Sequence, residues 1–186
     1  MMRRLIIPIL ILLSALLAAR VLGEMGRWVA PHGVVAAFYR GTNFEDLAWI
    51  TTKSDLKWTD TRPLATRLSH EPFSARYDGW LSVPESGEYS FAALSQDGIR
   101  LFIDDEAVID SWRSQKWADS KSEAVKRLEK GKHRLRVEFH GSLPDARFRV
   151  EWCGGPVPPR TILGSKYLTK RYGKHLLGGP LHGRKR

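Results

Sequence analysis

Five carboxylates fall within eighteen residues, SQDGIRLFIDDEAVIDSW (95–112): Asp97, Asp104, Asp105, Glu106 and Asp110. Acids this dense can form a general acid–base pair, hold a hard cation, or punctuate strands. Asp97-Gly98 stands between two apolar runs, where Asp bonds its own backbone and Gly supplies a positive φ. Asp104-Asp105 separates IRLFI from AVI, where a chain reversal is expected, and Asp110 closes the second run as a strand-end acceptor. Glycoside hydrolysis needs two carboxyl groups facing each other across a cleft, and a hairpin turn is no cleft floor. The six histidines (32, 70, 133, 140, 175 and 182) show no metal-ligand spacing. There is no glycine-rich phosphate loop and no Ser–His–Asp context. The chain reads as a binding or structural protein, not an enzyme.

Binding chemistry has other candidates. Trp117 lies in RSQKWADSK, a polar stretch without alternation. An exposed indole face there would stack on a sugar ring, with Arg113 and Lys116 donating to hydroxyls or to an acidic group. The alternative for Trp117 is a loop anchor folded back onto the domain. Trp58, Trp80, Trp112 and Trp152 are expected in the core.

The elements that must position these residues are strands. HRLRVEFH (133–140) and ARFRVEW (146–152) both alternate apolar and charged residues. Joined by GSLPD, they are expected to pair as a hairpin whose charged face, with Glu138 and Glu151, meets solvent. Further strands are expected over 34–40, 74–83, 88–95, 99–104, 107–112 and 122–129. Turns fall at 84–87, 97–98, 105–106 and 130–132. Closely spaced strands without a long helical period predict an all-β antiparallel sandwich or barrel.

The net charge of +10 suggests a nucleic-acid binder until it is located. Residues 1–23 hold three Arg and no acid, and residues 169–186 hold six Lys or Arg and no acid. Residues 24–168 hold 21 basic and 20 acidic side chains. A phosphate-tracking groove would put its excess on the folded face, so no nucleic-acid partner is expected. The basic tail at 169–186 lacks periodicity and reads as disordered, suited to an anionic surface.

The N-terminus has Arg3 and Arg4, then fifteen uncharged residues from Leu5 to Ala19. As a hydrophobic helix these span about 22 Å, short of a hydrocarbon core of about 30 Å. Residues 1–23 read either as an export signal cleaved after Val21-Leu22-Gly23 or as an anchor crossing the membrane over 5–23. Either way the body is expected outside the cytoplasm, periplasmic, extracellular or anchored, with the N-terminus inside. Residues 24–32 form a linker and 33–168 the folded domain. Cys153 is the only cysteine, so no intramolecular disulfide forms.

The strand order resembles the PA14 domain, a β-barrel module of toxins, adhesins and flocculins that also occurs inserted in glycosidases. The similarity runs through VVAAFYRG, DLKW, FSARYDGWLSVPESGEYSFAALSQDGIRLFIDDEAVIDSW, AVKRLEKGKHRLRVEFH, ARFRVEWC and ILGSKYL. The resemblance implies a carbohydrate-binding role, with a glycan or cell-envelope polysaccharide as partner. In the sugar-binding adhesins of that family two adjacent aspartates, joined by a cis peptide, hold a calcium ion that grips sugar hydroxyls. Here the pair is Gln96-Asp97, so the resemblance implies ligand contacts from Gln96 and Asp97. Either no cofactor binds, or calcium binds at Asp97 and Gln96 with one carboxylate fewer. Two functions stay open: a glycan-binding module, or a structural or protein-interaction domain whose sugar and calcium site has decayed.

Overall fold

A computed structural model describes residues 32–58, 71–113, 120–142 and 146–170. The described residues form strands and no helix. The strands are β1 (Val34–Arg40), β2 (Asp46–Lys53), β3 (Lys57–Trp58), β4 (Phe73–Val83), β5 (Gly87–Ser95) and β6 (Ile99–Ile103). They continue as β7 (Glu106–Ser111), β8 (Ser120–Leu128), β9 (Gly131–Gly141), β10 (Phe148–Gly154), β11 (Val157–Ile162) and β12 (Leu168–Lys170). Two antiparallel sheets result. The first runs β2-β1-β4-β9-β6-β7, with β12 beside the far end of β4. The second runs β11-β10-β5-β8, with β3 beside β10.

Alternation explains why these segments become strands facing one core. Along β5 Tyr89, Phe91 and Ala93 point inward, and along β10 Phe148, Val150 and Trp152 do the same, all at most 3% exposed. From the first sheet Phe38, Tyr77, Leu101, Val137 and Phe139 meet them. The rings interlock edge-on and tilted: Tyr77 on Phe148 at 5.2 Å, Phe139 on Phe148 at 4.8 Å. Such geometry suits aromatic quadrupoles.

Three expectations are overturned. β9 and β10 do not pair. β9 lies between β4 and β6 in the first sheet, whereas β10 lies beside β5 in the second. The connection after Gly141 crosses between layers, so similar alternation on neighbouring strands reflects two sheets sharing one core. The charged side of β9 is not solvent either. Glu138 is 6% exposed and stands opposite Arg76 and Arg100. Trp112 also leaves the core, lying half-buried on the outer side of the first sheet beside Phe44.

The acid run makes the β6–β7 turn at Asp104-Asp105, as the flanking apolar runs suggest and one residue before the 105–106 set by strand spacing. Asp104 and Asp105 occupy it with φ of 53° and 66°, the left-handed pair that matches hairpin twist and that Asp tolerates. Each acid then finds its own cation. Asp104 meets His133 Nδ1 at 2.6 Å and accepts from the Arg134 N–H at 2.8 Å. Asp105 pairs with Arg134 at 2.5 Å and Glu106 with Lys126 at 2.5 Å. Lys126 belongs to β8, so the last contact ties the two sheets together.

His133 faces an acceptor at each ring nitrogen, since Nε2 lies 2.8 Å from the Glu129 carbonyl. Burial lowers its pKa, but the bonds to Asp104 and to Glu129 outweigh this and the net shift is upward from 6.5. Burial likewise raises Asp104, and the His133 and Arg134 bonds reverse that to a net lowering from 3.8. A raised cation stabilises fully below its unfolded pKa and loses that contribution as pH rises through its folded one. Asp104's share is present above 3.8 and lost as pH falls through its lowered value. Melting temperature is therefore expected to fall as pH rises above 6.5 and through the raised His133 value. His133→Gln should flatten that fall, and an unchanged profile in the variant would refute the assignment.

Candidate functional site

The connections at one end of the sandwich meet around Asp97. The segment after β5 is stitched to the β9–β10 connection by main chain and side chain together. Gln96 N–H donates to the Arg147 carbonyl at 3.0 Å, and Arg147 N–H donates to Gln96 Oε1 at 3.1 Å. Ser142 donates its N–H to Asp97 Oδ2 at 2.9 Å and its hydroxyl to Oδ1 at 3.2 Å. His140 N–H reaches the Gly98 carbonyl at 3.0 Å. Gly98 must be glycine, because a Cβ would lie 2.2 Å from His140 Nε2 and 3.2 Å from the Trp112 backbone. Asp97 is 5% exposed and faces inward.

Beside this loop, aromatic rings and guanidinium groups stack. Trp112 lies 5.7 Å from Phe44, 4.6 Å from the His140 ring and 4.0 Å from the Arg100 Cζ. Phe44 is flanked by Tyr39 at 5.5 Å and by Arg76 at 4.7 Å. It holds a φ of 62°, uncommon for a bulky residue. Its N–H donates to Ser74 Oγ at 2.9 Å, and that hydroxyl donates to the Gly41 carbonyl at 2.8 Å. Both arginines are held by one buried acid, Glu138, at 3.1 Å for Arg76 and 2.7 Å for Arg100. Asp78 binds Arg136 at 3.0 Å alongside. Burial pulls the His140 pKa down, with Arg100 adding to the effect and Asp97 opposing it.

Of the residues expected to bind ligand, Gln96, Asp97 and Arg113 converge on this end. Arg113 is exposed, directly after Trp112. Lys116 and Trp117 lie outside the described residues, on the connection that leaves Arg113 for β8. The described donors do not fit a calcium ion. Both Asp97 oxygens accept from Ser142, Gln96 Oε1 accepts from Arg147, and the Gln96–Asp97 peptide is trans. Among the described residues no three His, Cys, Asp or Glu side chains gather to hold a metal.

Phe44, Arg76, Arg100, Glu138 and His140 are site-forming residues that sequence reasoning passed over. A signal did exist. SARYDGW and HRLRVEFH both place charges at every second position, and paired strands would set those charges opposite one another.

Comparison with known proteins agrees with this fold. The sequence profile of the PA14 domain matches residues 31–157. The chain is 26% identical over 123 residues to the anti-sigma-I factor RsgI3 of Acetivibrio thermocellus, covering 64% of this chain and 19% of that protein. A solved anti-sigma factor domain-containing protein superposes with a TM-score of 0.69 at 20% identity, over 76% of this chain and 49% of the other. The PA14 sugar-binding domain of an RTX adhesin superposes with a TM-score of 0.60 at 13% identity, over 76% of this chain and 100% of that domain. The chain thus spans less than a fifth of the anti-sigma-I factor and about half of the solved anti-sigma protein. At these identities the superpositions speak to the fold alone.

Proposed function

The chain belongs to the PA14 domain family, and from that premise we propose that it is a non-catalytic carbohydrate-binding module carried at the cell envelope. The observation behind this reading is the convergence of Gln96, Trp112 and Arg113 at one end of a rigid sandwich. Gln96 and Arg113 supply polar contacts, while Lys116 and Trp117 add a cation and an indole face suited to a pyranose ring. Asp97 acts from behind, fixing Ser142 and the loop between them. Binding in this reading needs no calcium, because the loop's acceptors are already engaged by protein donors. Similarity to an anti-sigma factor favours a regulatory chain whose outer domain reads a polysaccharide.

A glycan array probed with the full chain tests the reading. At least one polysaccharide should bind, Arg113→Ala should weaken binding roughly ten-fold, the loss of one charged contact of about 1.4 kcal/mol, and a chelator should change nothing. Loss of signal with chelator would restore the calcium reading. A second reading, a structural or protein-interaction domain with a decayed site, is favoured by the inward turn of Asp97. An array without any signal, on folded protein, would select it.

The same reading sets the body outside the cytoplasm, behind residues 1–23; Thr169 and Lys170 close the fold in β12 rather than opening the tail, and the basic residues after them would adhere to anionic surfaces. Alkaline phosphatase fused after residue 40 should be active in a bacterial host, since that enzyme needs the disulfides an oxidising compartment permits. An inactive, intact fusion would place the body inside.

A further inference from the structure

The second sheet carries a trough on the side turned away from the core, with a volume of about 830 Å³. Its floor is β5, whose outward residues are Ser90, Ala92 and Leu94, two small and one apolar. Its walls are the neighbouring strands β8 and β10, about 9.6 Å apart at twice the inter-strand spacing. Register makes the two walls match level by level. Leu94 lies between Lys121 and Arg149, Ala92 between Glu123 and Glu151, and Ser90 between Val125 and Cys153. Each wall's cation is paired with the acid two residues along its own strand, Lys121 with Glu123 and Arg149 with Glu151 at 2.8 Å. Val125 is 65% exposed, an unusual position for a large apolar side chain.

We propose that this trough is a second carbohydrate site, taking a neutral, linear oligosaccharide laid along β5. The cations of both walls are matched by acids, so an acidic polymer finds only Arg160 of the lining without an ion pair among the described residues, whereas hydroxyl groups find a donor and an acceptor side by side on each wall, Lys121 with Glu123 and Arg149 with Glu151. Leu94, Ala92 and Val125 give the C–H faces of sugar rings an apolar bed. A peptide strand fits less well. β5 is paired on both edges, by β8 and β10, so a peptide lying over it forms no main-chain ladder and buries its own amides unpartnered. The trough lies on the second sheet's outer face, and the Gln96–Arg113 loop end does not contribute to it.

Amide chemical shifts of the labelled full chain provide the test, with cellohexaose, xylohexaose and mannohexaose as neutral probes and polygalacturonate as a charged one. At least one neutral probe should shift the amides of Ala92, Leu94, Val125 and Glu151. Ala92→Arg and Val125→Arg, both outward-facing, should each weaken that response ten-fold or more, and Arg113→Ala should leave it unchanged. The proposal fails if no neutral probe moves these amides, if polygalacturonate alone does, or if Arg113→Ala removes the response. It fails equally if the response survives both blocking substitutions. Binding confined to the loop end would leave the proposed function standing and this site refuted.

Discussion

Glu138→Ala is expected to cost the domain about 3–5 kcal/mol, the usual penalty for removing one partner of a buried ion pair. Glu138 is 6% exposed and forms ion pairs with two guanidinium groups at once, Arg76 and Arg100. Its removal leaves Arg76 charged at 3% side-chain exposure, next to the Phe44 ring. Arg100 would lose the contact that holds it over Trp112. Glu138→Gln keeps a carbonyl acceptor and should fall between wild type and alanine. Urea denaturation of the three proteins gives the ranking directly. A loss below about 1 kcal/mol in the alanine variant, the range of surface pairs, would mean that water reaches these arginines. Because Trp112 adjoins Arg113, the carbohydrate binding proposed for this end should weaken in Glu138→Gln even where the protein remains folded.

Trp152→Ala should cost a comparable amount, about 3–5 kcal/mol, the range for truncating a large core aromatic. The ring is 1% exposed and is packed by Tyr89 at 5.1 Å, Phe91 at 6.1 Å and Tyr167 at 5.0 Å. The indole Nε1 is buried, with no protein hydrogen-bond partner among the described residues. Trp152→Phe removes that unsatisfied donor along with some volume, so it should be milder than the lost area alone suggests. Calorimetric melts of both variants separate the two contributions. Equal losses in both would show that the indole N–H is satisfied by a buried water.

Strands that bury one side and wet the other announced themselves. β1 was expected over 34–40 and occurs there, and β5, β8 and β9 differ from expectation only at their ends. β2 gave no clear alternation because a bulge opposite Phe38 and Tyr39 shifts its period. β11 hid behind Pro158 and Pro159, which an edge strand tolerates and a central one does not. Sheet membership was illegible, since β9 and β10 share a pattern whether they pair or face each other across a core. The turn-forming role of Asp104 and Asp105 was legible from local chemistry. Their partners His133 and Arg134 stand 29 residues away, and no local pattern links positions that far apart. Glu138 was misread for a related reason. Alternation tells which residues share a side, but not whether that side is wet.

The turn of β6–β7 and its three ion pairs give the sandwich ends different responses to their medium. At that end the sheets are joined through exposed Glu106 and partly exposed Lys126, contacts that dissolved salt screens within a Debye length of about 10 Å at 0.1 M. At the loop end the join is the part-buried pair of hydrogen bonds from Ser142 to Asp97, whose donors are neutral and which salt screens less. In a dilute medium both ends are closed. In brine the hairpin end breathes first, so amide exchange in β6 and β7 accelerates while the loops keep their shape.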